Sequence, residues 1–474
     1  MEDSSARSAG PASVGPSAPV RDSSYSISIA MMAGSGERRR SVSFARRPRR
    51  VSSRRRRLWF VLVALAAIGV LVAGAVVAVG GPGRFAWAVK HTLLQPTRES
   101  APAATRDGRW RQDLDYLQTN LSRMHANAYH TTPRTHFEQA FAAARERVPT
   151  ATDAEMIVEV MRLIALVGDG HTATWSWSDL FRSYPLQIAH KGGSWVVAAV
   201  PGERADLLGT EVLQIGDELV EAAMVKLSRL ISWDSEGDRL SRLAQLATRA
   251  ELLHAVGLQA EPAVGRYVLR TAEGAVAQVE FEMAQGTALV VAGADLLHRR
   301  HPDLDHFVLD LPDEDAVYLR YRRCADRAGF AAVASEALAL LDARPSARLV
   351  VDVRENPGGA SIVIEPLLDG IRARTAGHRT FVLTDSGTYS SATRNARDLR
   401  ALGATLVGEP TGDSIGGWGE VRSFELPNSG IRVQVSTYLF AGDHEPVVPD
   451  LQVLTSVAAW LAGEDPVLQA ALVR

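Results

Sequence analysis

Three short loops of the sequence hold residues whose types and positions could serve acid–base or acyl-transfer chemistry. GDGHTATW follows an apolar helical pattern and contains His171, which outside a helix is available as a base near neutral pH. VVDVRENPGGAS runs from a predicted strand into Gly358 and Gly359, where bare backbone N–H groups could stabilise an oxyanion. VLTDSGTYSSATRNA places Ser390 at a strand-to-helix junction, near the N–H groups that open the helix.

Each of these loops also has an ordinary structural interpretation. A loop histidine commonly bonds to backbone, glycine turns between strands and helices are frequent, and Ser390 or Ser391 could simply cap the helix. A serine hydroxyl is a weak nucleophile until a base within hydrogen-bond reach takes its proton, and it also needs donors for the tetrahedral oxygen. The loops therefore favour hydrolysis only as a set.

Two further patterns offer alternative chemistry. Residues 412–416, GDSIG, match the G-x-S-x-G elbow of α/β-hydrolases with Ser414 as nucleophile. That elbow needs a helix directly after the serine, whereas GGWGEVRSFEL predicts a loop and then a strand. His125 and His130 have no acidic partner at metal-ligand spacing, so we expect no metal site.

The elements that must position these loops fall into three groups. WRQDLDYLQTNLSRMH, THFEQAFAAARERV and DAEMIVEVMRLIALV predict a layer of helices, the last capped by Thr152 or Asp153. From Tyr184 onward, strand and hairpin patterns predict a small β-rich module. The last part alternates strands with helices, which predicts an α/β core with a mainly parallel sheet and a site beyond the carboxyl ends of its strands.

Taken together, the motifs resemble those of the tail-specific (carboxyl-terminal-processing) serine peptidases, nearer to the tricorn-core Ser–His branch than to the Ser–Lys branch. The resembling segments run in the family's order over most of the chain after residue 110: W…DL…L…MHANAY, LVGDGHT, DVRENPGG, TYSSA, LVGEPTG, FELPNSG, VPDLQV and GEDPVLQAAL. The resemblance implies a ClpP/crotonase-like layered catalytic core, with a PDZ-like module before it.

Carried over residue by residue, the resemblance makes Ser390 the nucleophile and His171 its general base. Gly358 or Gly359, together with the N–H of Ser391, would form the oxyanion hole. The Ser–Lys branch has a lysine after the GEPT segment, but no lysine follows Lys226 in this chain. Among the family's mechanisms, this leaves Ser–His catalysis.

The tricorn-like branch also uses a carboxylate before the closing Pro-Asp, and here the sequence leaves two candidates. GDHEPVVPD contains Asp443 and Glu445, and the spacing to Pro449 favours Asp443. Pro446 replaces the glycine that normally follows the family's glutamate, which is a departure from the pattern.

Composition and charge restrict the classes of function. The 474 residues are 46% hydrophobic and 22% charged, a globular composition, and the single cysteine, Cys324, excludes an internal disulfide framework. Residues 1–57 carry a net charge of +9 and the rest carries −11. An acidic body argues against nucleic-acid binding, for which clustered positive charge is expected.

An apolar segment near the amino terminus predicts a membrane anchor. Residues 58–79 are uncharged and long enough to cross a bilayer, and the arginines of residues 46–57 precede them. We therefore expect a cytoplasmic amino terminus, contact with membrane lipid through residues 58–80 and an extracytoplasmic body. A cleaved signal peptide and a start at Met31 or Met32 remain alternatives.

The predicted organisation has six parts. They are a disordered basic segment (1–57), a transmembrane signal anchor (58–80), a linker (81–104), a helical layer with the histidine loop (105–182), a PDZ-like module (183–305) and the catalytic core (306–474).

The resulting functional prediction is a membrane-anchored serine endopeptidase. It would act on a polypeptide substrate without metal or cofactor, either as a monomer or as a homo-oligomer. The alternative is a catalytically silent peptide- or ligand-binding protein on the same fold.

Overall fold

The computed structural model describes residues 61, 69, 71, 95–97, 101–175, 177–284, 286–374 and 379–473. Contacts divide the chain into two units, Met1–Phe85 and Ala86–Arg474, and the description below concerns the second. The predicted basic segment lies outside the described residues, as does the anchor apart from positions 61, 69 and 71. None of the helices formed by the described residues is both long and apolar enough to span a bilayer.

Three helices form the first layer of the second unit: α1 (Arg106–Met124), α2 (Arg134–Arg147) and α3 (Asp153–Ala165). Thr152 caps α3 in a reciprocal capping box with Glu155. The apolar stripe of α1 is buried, and it packs against a β-hairpin near the end of the chain, including Phe424 and Val433. This contact fixes the helical layer, and therefore the loop after α3, against the carboxyl-terminal part of the protein.

The β-rich module follows a short helix, α4 (Trp177–Leu180), and is built on one antiparallel sheet of seven strands. Its strands are β1 (Gln187–Lys191), β2 (Ser194–Pro201), β3 (Glu211–Ile215), β4 (Glu218–Leu219), β5 (Val264–Arg270), β6 (Val276–Glu282) and β7 (Leu289–Val291). The strand order is β1-β2-β3-β5-β6, with β4 paired to β3 and β7 paired to β2. Three helices between β4 and β5 cover it: α5 (Val220–Ser228), α6 (Glu236–Leu246) and α7 (Ala250–Ala255). The loop between α5 and α6 contributes to the site described below.

The last part of the chain holds a six-stranded sheet. Its strands are β8 (His306–Leu311), β9 (Ala316–Tyr321), β10 (Arg348–Asp352), β11 (Thr380–Thr384), β12 (Thr405–Gly408) and β15 (Leu451–Gln452). Their order is β15-β12-β11-β10-β9-β8, parallel except for β8. Its helices are α8 (Arg327–Ala343), α9 (Glu365–Arg372), α10 (Ser391–Ala401), α11 (Val457–Leu461) and α12 (Pro466–Leu472). The predicted mixed α/β fold with a mainly parallel sheet is confirmed.

The central strands of this sheet are apolar on both faces because helices cover both faces. Leu349 and Val351 of β10 face the cluster that contains α8 and α10, while Val350 faces the cluster that contains α12. β10 and β11 are adjacent and parallel, so the loops that follow their carboxyl ends emerge at the same edge. Those loops are residues 353–360 and 385–390.

A two-stranded hairpin, β13 (Gly417–Glu425) with β14 (Arg432–Phe440), completes the fold. Ser414 is followed by β13 and not by a helix, so the geometry of an α/β-hydrolase elbow is absent at this serine.

Candidate active site

Ser390 lies at the junction between the loop after β11 and helix α10, in a backbone conformation that non-glycine residues rarely adopt. Its φ is 54° and its ψ is −122°. It occupies the N-cap position of α10, but its side chain makes no capping hydrogen bond. Among the described residues none bonds to its hydroxyl. The capping interpretation of Ser390 therefore fails, and a strained serine with an unengaged hydroxyl is typical of a functional position.

Backbone hydrogen bonds on both sides hold Ser390 in this conformation. Its own N–H donates to Oδ2 of Asp413 at 3.0 Å, and the N–H of Tyr389 donates to the carbonyl of Asn356 at 2.9 Å. Asn356 is buried and belongs to the loop after β10. The loops that follow β10 and β11 are therefore tied together directly beside the serine.

His171 is presented by a loop that the buried carboxylate of Asp169 organises. One oxygen of Asp169 accepts the N–H groups of His171 (3.0 Å) and Thr172 (2.7 Å) and the hydroxyl of Ser436 (2.7 Å). Its other oxygen lies 2.8 Å from Nε2 of His125. Burial alone would raise the pKa of Asp169, but these bonds hold it below its ordinary value. His125 therefore has a structural role beside an acid that sequence spacing did not reveal.

The imidazole of His171 is oriented through Nδ1 by two side chains. Nδ1 lies 3.2 Å from Oδ2 of Asp234 and 3.2 Å from the hydroxyl of Tyr389, which itself donates to Asp234. The other oxygen of Asp234 accepts the N–H of Gly170 at 2.8 Å. A Cβ at Gly170 would lie 2.4 Å from Asp234 Oδ2, so this position requires glycine. With an ionised acceptor at Nδ1, the hydrogen of a neutral imidazole resides there and Nε2 carries the lone pair.

Asp234 itself is placed by the start of helix α6. It directly precedes Ser235, whose side chain caps α6, and its N–H donates to Asp238 at 3.1 Å. Burial opposes ionisation, but the hydrogen bond and charge of His171, with the bonds from Tyr389 and Gly170, lower the pKa of Asp234 to about 2. Asp234 is therefore a permanent anion at neutral pH.

Asp413 lies on the opposite side of the imidazole and connects it to Ser390. Oδ2 of Asp413, which accepts the Ser390 N–H, is 3.9 Å from Nε2 of His171. Burial is the main cause that raises the pKa of Asp413 to about 7, against the opposing effect of His171. Burial also disfavours the imidazolium, yet the Asp234 hydrogen bond and the charges of Asp413 and Asp234 give His171 a raised pKa.

Ser390 and His171, more than two hundred positions apart in the chain, line one cleft. The cleft has a volume of about 570 Å³ and is also lined by Asp413, Arg394 and Phe440. It lies where the histidine loop, the loops after β10 and β11 and the β13–β14 hairpin meet. A polypeptide segment could enter it and reach both functional groups.

The loop after β10 approaches Ser390 closely enough to require glycine. Gly358 and Gly359 have φ values of 96° and 134°, and a Cβ on Gly358 would lie 2.8 Å from the Cβ of Ser390. The N–H of Gly358 is already engaged by Oδ1 of Asn356 at 2.9 Å. The N–H groups of Gly359 and Ser391 have no acceptor among the described residues. These two are therefore the available donors for an oxyanion.

The structure does not bring Asp443 or Glu445 to the imidazole. Both are exposed, and Asp443 accepts the N–H of Glu445 at 3.1 Å. The carboxylates beside His171 are instead Asp234 and Asp413, which the sequence analysis did not single out. Ser414 is buried, and its hydroxyl donates to the carbonyl of Gly416.

The same cluster contains the described residues that could geometrically hold a metal ion. One ligand atom each from His171, Asp234 and Asp413 lies within 4.8 Å of the others. These atoms already contact one another or the neighbouring Tyr389 and Ser390, so a cation would have to replace those bonds. The expectation of metal-free chemistry remains a prediction, tested below.

Comparison with known proteins identifies the architecture. The structure of mature CPAF complexed with lactacystin superposes with a TM-score of 0.55, at 13% sequence identity, over 77% of this chain and 98% of that chain. This chain has the CPAF fold. The structure of a CPAF S499A mutant gives 0.51 at 12% identity, over 75% of this chain and 95% of that chain.

A more distant match is a photosystem II D1 C-terminal processing protease, with a TM-score of 0.37 at 16% identity, over 73% of this chain and 93% of that chain. No family model and no curated protein sequence matches the chain.

Proposed function

We propose that this protein is a serine peptidase that hydrolyses peptide bonds through an acyl-enzyme formed on Ser390, with His171 as general base. The observation that carries the proposal is the arrangement around the imidazole: Asp234 and Tyr389 at Nδ1, and the Ser390 segment, held by Asp413, on the Nε2 side. With Nδ1 engaged, Nε2 is the nitrogen left to act as the base, and a Ser–His hydrolase needs it to take the proton of the serine hydroxyl.

In acylation, the Ser390 oxygen attacks the carbonyl carbon of the scissile peptide bond while Nε2 of His171 accepts the hydroxyl proton. Collapse of the tetrahedral intermediate breaks the C–N bond, and the same proton passes to the leaving amine. Water then attacks the ester, again with His171 as the base, which releases the acid product and restores Ser390. Asp234 stabilises the imidazolium in both steps without being protonated itself.

The tetrahedral oxygen would be stabilised by the N–H groups of Gly359 and Ser391. Both belong to rigid backbone, because Gly359 follows the engaged Gly358 and Ser391 opens helix α10. Pre-oriented donors of this kind contribute on the order of 10²–10³ to the rate for each donor. The Ser391 hydroxyl donates to the Gly359 carbonyl at 2.7 Å, and this hydrogen bond holds the glycine loop beside the start of helix α10.

We infer further that the antiparallel sheet of residues 187–291 is the PDZ-like module that the sequence resemblance implies. In its support, β1 lies at an edge of this sheet, and an edge strand can bind an extended peptide by β-addition. A substrate tail held there would raise the local concentration of peptide at the cleft.

We propose that residues 58–80 anchor the protein in a membrane, with the catalytic body outside the cytoplasm. The charge distribution of residues 1–57 and the length of the apolar run support this orientation. A phosphatase reporter that is active only outside the cytoplasm, fused after Arg474, tests it. An active fusion in the membrane fraction is expected. An inactive fusion, or a fusion that is soluble after cell lysis, would refute the anchor or its orientation.

Labelling with a fluorophosphonate probe tests the peptidase proposal. We expect the wild-type protein and the Ser414→Ala variant to be labelled, and Ser390→Ala and His171→Ala to lose labelling. A folded wild-type protein that neither reacts with the probe nor cleaves peptides would instead favour the alternative of a silent binding protein. Labelling that disappears only in Ser414→Ala would identify Ser414, and not Ser390, as the nucleophile.

A further inference from the structure

Arg394 places a positive charge in the proposed active-site cleft, one helical turn beyond the nucleophile. It lies on α10, and its backbone N–H donates to the carbonyl of Ser390 at 3.3 Å. Its side chain lines the same cleft as Ser390 and His171. A group held by this guanidinium would therefore lie beside the peptide bond that Ser390 attacks.

The guanidinium of Arg394 is held against an aromatic ring but forms no salt bridge with a described residue. Its central carbon lies 3.6 Å from the centroid of the Phe440 ring, a stacked cation–π arrangement, and Phe440 packs edge-on against Tyr438. No carboxylate of the described chain pairs with it, and no hydrogen bond joins its nitrogens to a described residue. The cation–π contact therefore holds the guanidinium against the ring while its N–H donors stay available to a ligand.

Two other arginines near the cleft are paired with carboxylates. Arg397, one turn further along α10, bonds to Asp398 at 2.8 Å, and the buried Arg242 bonds to Asp238 at 2.7 Å. Partial burial lowers the pKa of Arg394, with the charges of Asp413 and Glu420 acting in the opposite direction. A half-buried cation without a paired anion has lost part of its hydration and would be stabilised by a carboxylate.

We propose that Arg394 is a specificity-determining residue that binds a carboxylate of the substrate beside the scissile bond. This rests on the peptidase function proposed above. The planar guanidinium matches a carboxylate with two parallel N–H···O bonds, which a lysine could not reproduce. The carboxylate comes either from an acidic side chain next to the cleaved bond or from the free carboxyl terminus of a short peptide product, and both present the same chemistry to Arg394.

Matched peptide pairs test this assignment. One pair differs only by Glu against Gln at the positions flanking the cleavage site, and the other only by a free or an amidated carboxyl terminus. The readout is the ratio of kcat/KM within each pair. For wild-type protein we expect the carboxylate form of one pair to be preferred by roughly 10- to 100-fold, and which pair responds identifies the source of the carboxylate.

Three substitutions complete the test. Arg394→Gln should bring the kcat/KM ratio of the preferred pair close to one, and Arg394→Glu should invert that ratio. Arg394→Lys should retain only part of the preference, because the bidentate fork and the stacking on Phe440 are lost. Arg397→Gln, which removes an exposed and paired arginine from the same helix, is the matched control and should leave the ratio unchanged. A purely structural role of Arg394 would lower both members of a pair equally and leave the ratio at its wild-type value.

The outcomes separate this inference from the function on which it rests. Peptide hydrolysis by the wild-type protein with a ratio near one in both pairs would overturn the role of Arg394 and leave the peptidase intact. A carboxylate preference that survives in Arg394→Gln would likewise overturn the role of Arg394 and leave the peptidase intact. Absence of both hydrolysis and Ser390 labelling would overturn the peptidase and the role of Arg394 together.

Discussion

Asp234 places a carboxylate oxygen 3.2 Å from Nδ1 of His171, although the two residues belong to different parts of the fold. His171 follows the helical layer, while Asp234 precedes helix α6 of the β-rich module. The orienting group of the proposed base is thus supplied by the module that covers the core. This relationship gives the β-rich module a direct part in the proposed catalysis.

Replacing Asp234 should therefore reduce turnover strongly. Asp234→Asn keeps the size of the side chain but removes the anion at Nδ1, and the loss of kcat is expected to be on the order of 10³–10⁴-fold, as for other triads that lose this acid. Steady-state peptide hydrolysis measures it. Asp443→Asn is the matched control, because Asp443 is exposed and makes no contact with the imidazole, and it should retain wild-type kcat. The reverse ranking of the two variants would restore Asp443 as the orienting acid.

The pH dependence of kcat/KM should report the raised pKa of His171. The neutral imidazole is the active base, so activity rises as pH increases through this pKa, with a midpoint above the ordinary value of 6.5. Asp413→Asn removes a carboxyl group 3.9 Å from Nε2 whose ionised form, present above its raised pKa of about 7, stabilises the imidazolium. The midpoint should therefore move to lower pH in this variant. A midpoint that stays in place or moves upward would show that Asp413 does not act on His171.

Gly358→Ala should slow probe labelling strongly because the added Cβ would collide with the Cβ of Ser390. The control is Gly403→Ala, since Gly403 has nearly the same φ (94° against 96°) but no atom within 4 Å of a Cβ. Alanine at this φ strains the backbone of both variants by a similar amount, about 1 kcal/mol, and only Gly358→Ala also brings a Cβ into collision with Ser390. We expect the labelling rate to fall by at least about 10²-fold, because the loop that carries a proposed oxyanion donor would be displaced. Equal labelling of the two variants would contradict the close approach of this loop.

Asp169 should prove essential for stability as well as for activity. Asp169→Ala leaves His125 and two backbone N–H groups without their buried acceptor, which is expected to lower the free energy of unfolding by about 3 kcal/mol. Urea unfolding followed by tryptophan fluorescence measures this. A variant with wild-type stability and wild-type activity would show that the loop holding His171 does not depend on this carboxylate.

Much of the site could be predicted from local sequence because its groups lie in short motifs at the ends of elements. Ser390, His171 and the glycines of NPGG are each flanked by a recognisable helix or strand, and adjacent parallel strands bring two of the loops to one edge. The orienting acid could not be found in this way. Asp234 stands in a loop of the β-rich module, and only the packing of that module brings it to His171.

Two other features escaped prediction for related reasons. Asp413 lies within GDSIG, where the neighbouring Ser414 offered a more familiar motif, although the pattern lacked the helix that the motif requires. The buried stripe of α1 was predictable from helical spacing, but its partner, the β13–β14 hairpin, follows about three hundred residues later. No local sequence pattern indicates that Asp413 lies beside His171 or that α1 packs against the β13–β14 hairpin.

Chelation tests the metal-free mechanism. The ligand atoms of His171, Asp234 and Asp413 could hold a cation, but His171 must keep Nε2 free to serve as a base. We therefore expect peptide hydrolysis to be unchanged by EDTA and to be inhibited by added zinc. Loss of hydrolysis after chelation, with recovery on addition of a divalent metal, would replace the serine mechanism with metal-assisted hydrolysis.

Formation of a covalent bond on Ser390 is tested by locating the fluorophosphonate adduct with tandem mass spectrometry. Trypsin releases the peptide TFVLTDSGTYSSATR, in which fragmentation distinguishes Ser386, Ser390 and Ser391. One adduct is expected, on Ser390, and it should be absent from the His171→Ala protein. An adduct on Ser414 or Ser391, or undiminished modification of Ser390 without His171, would contradict this expectation.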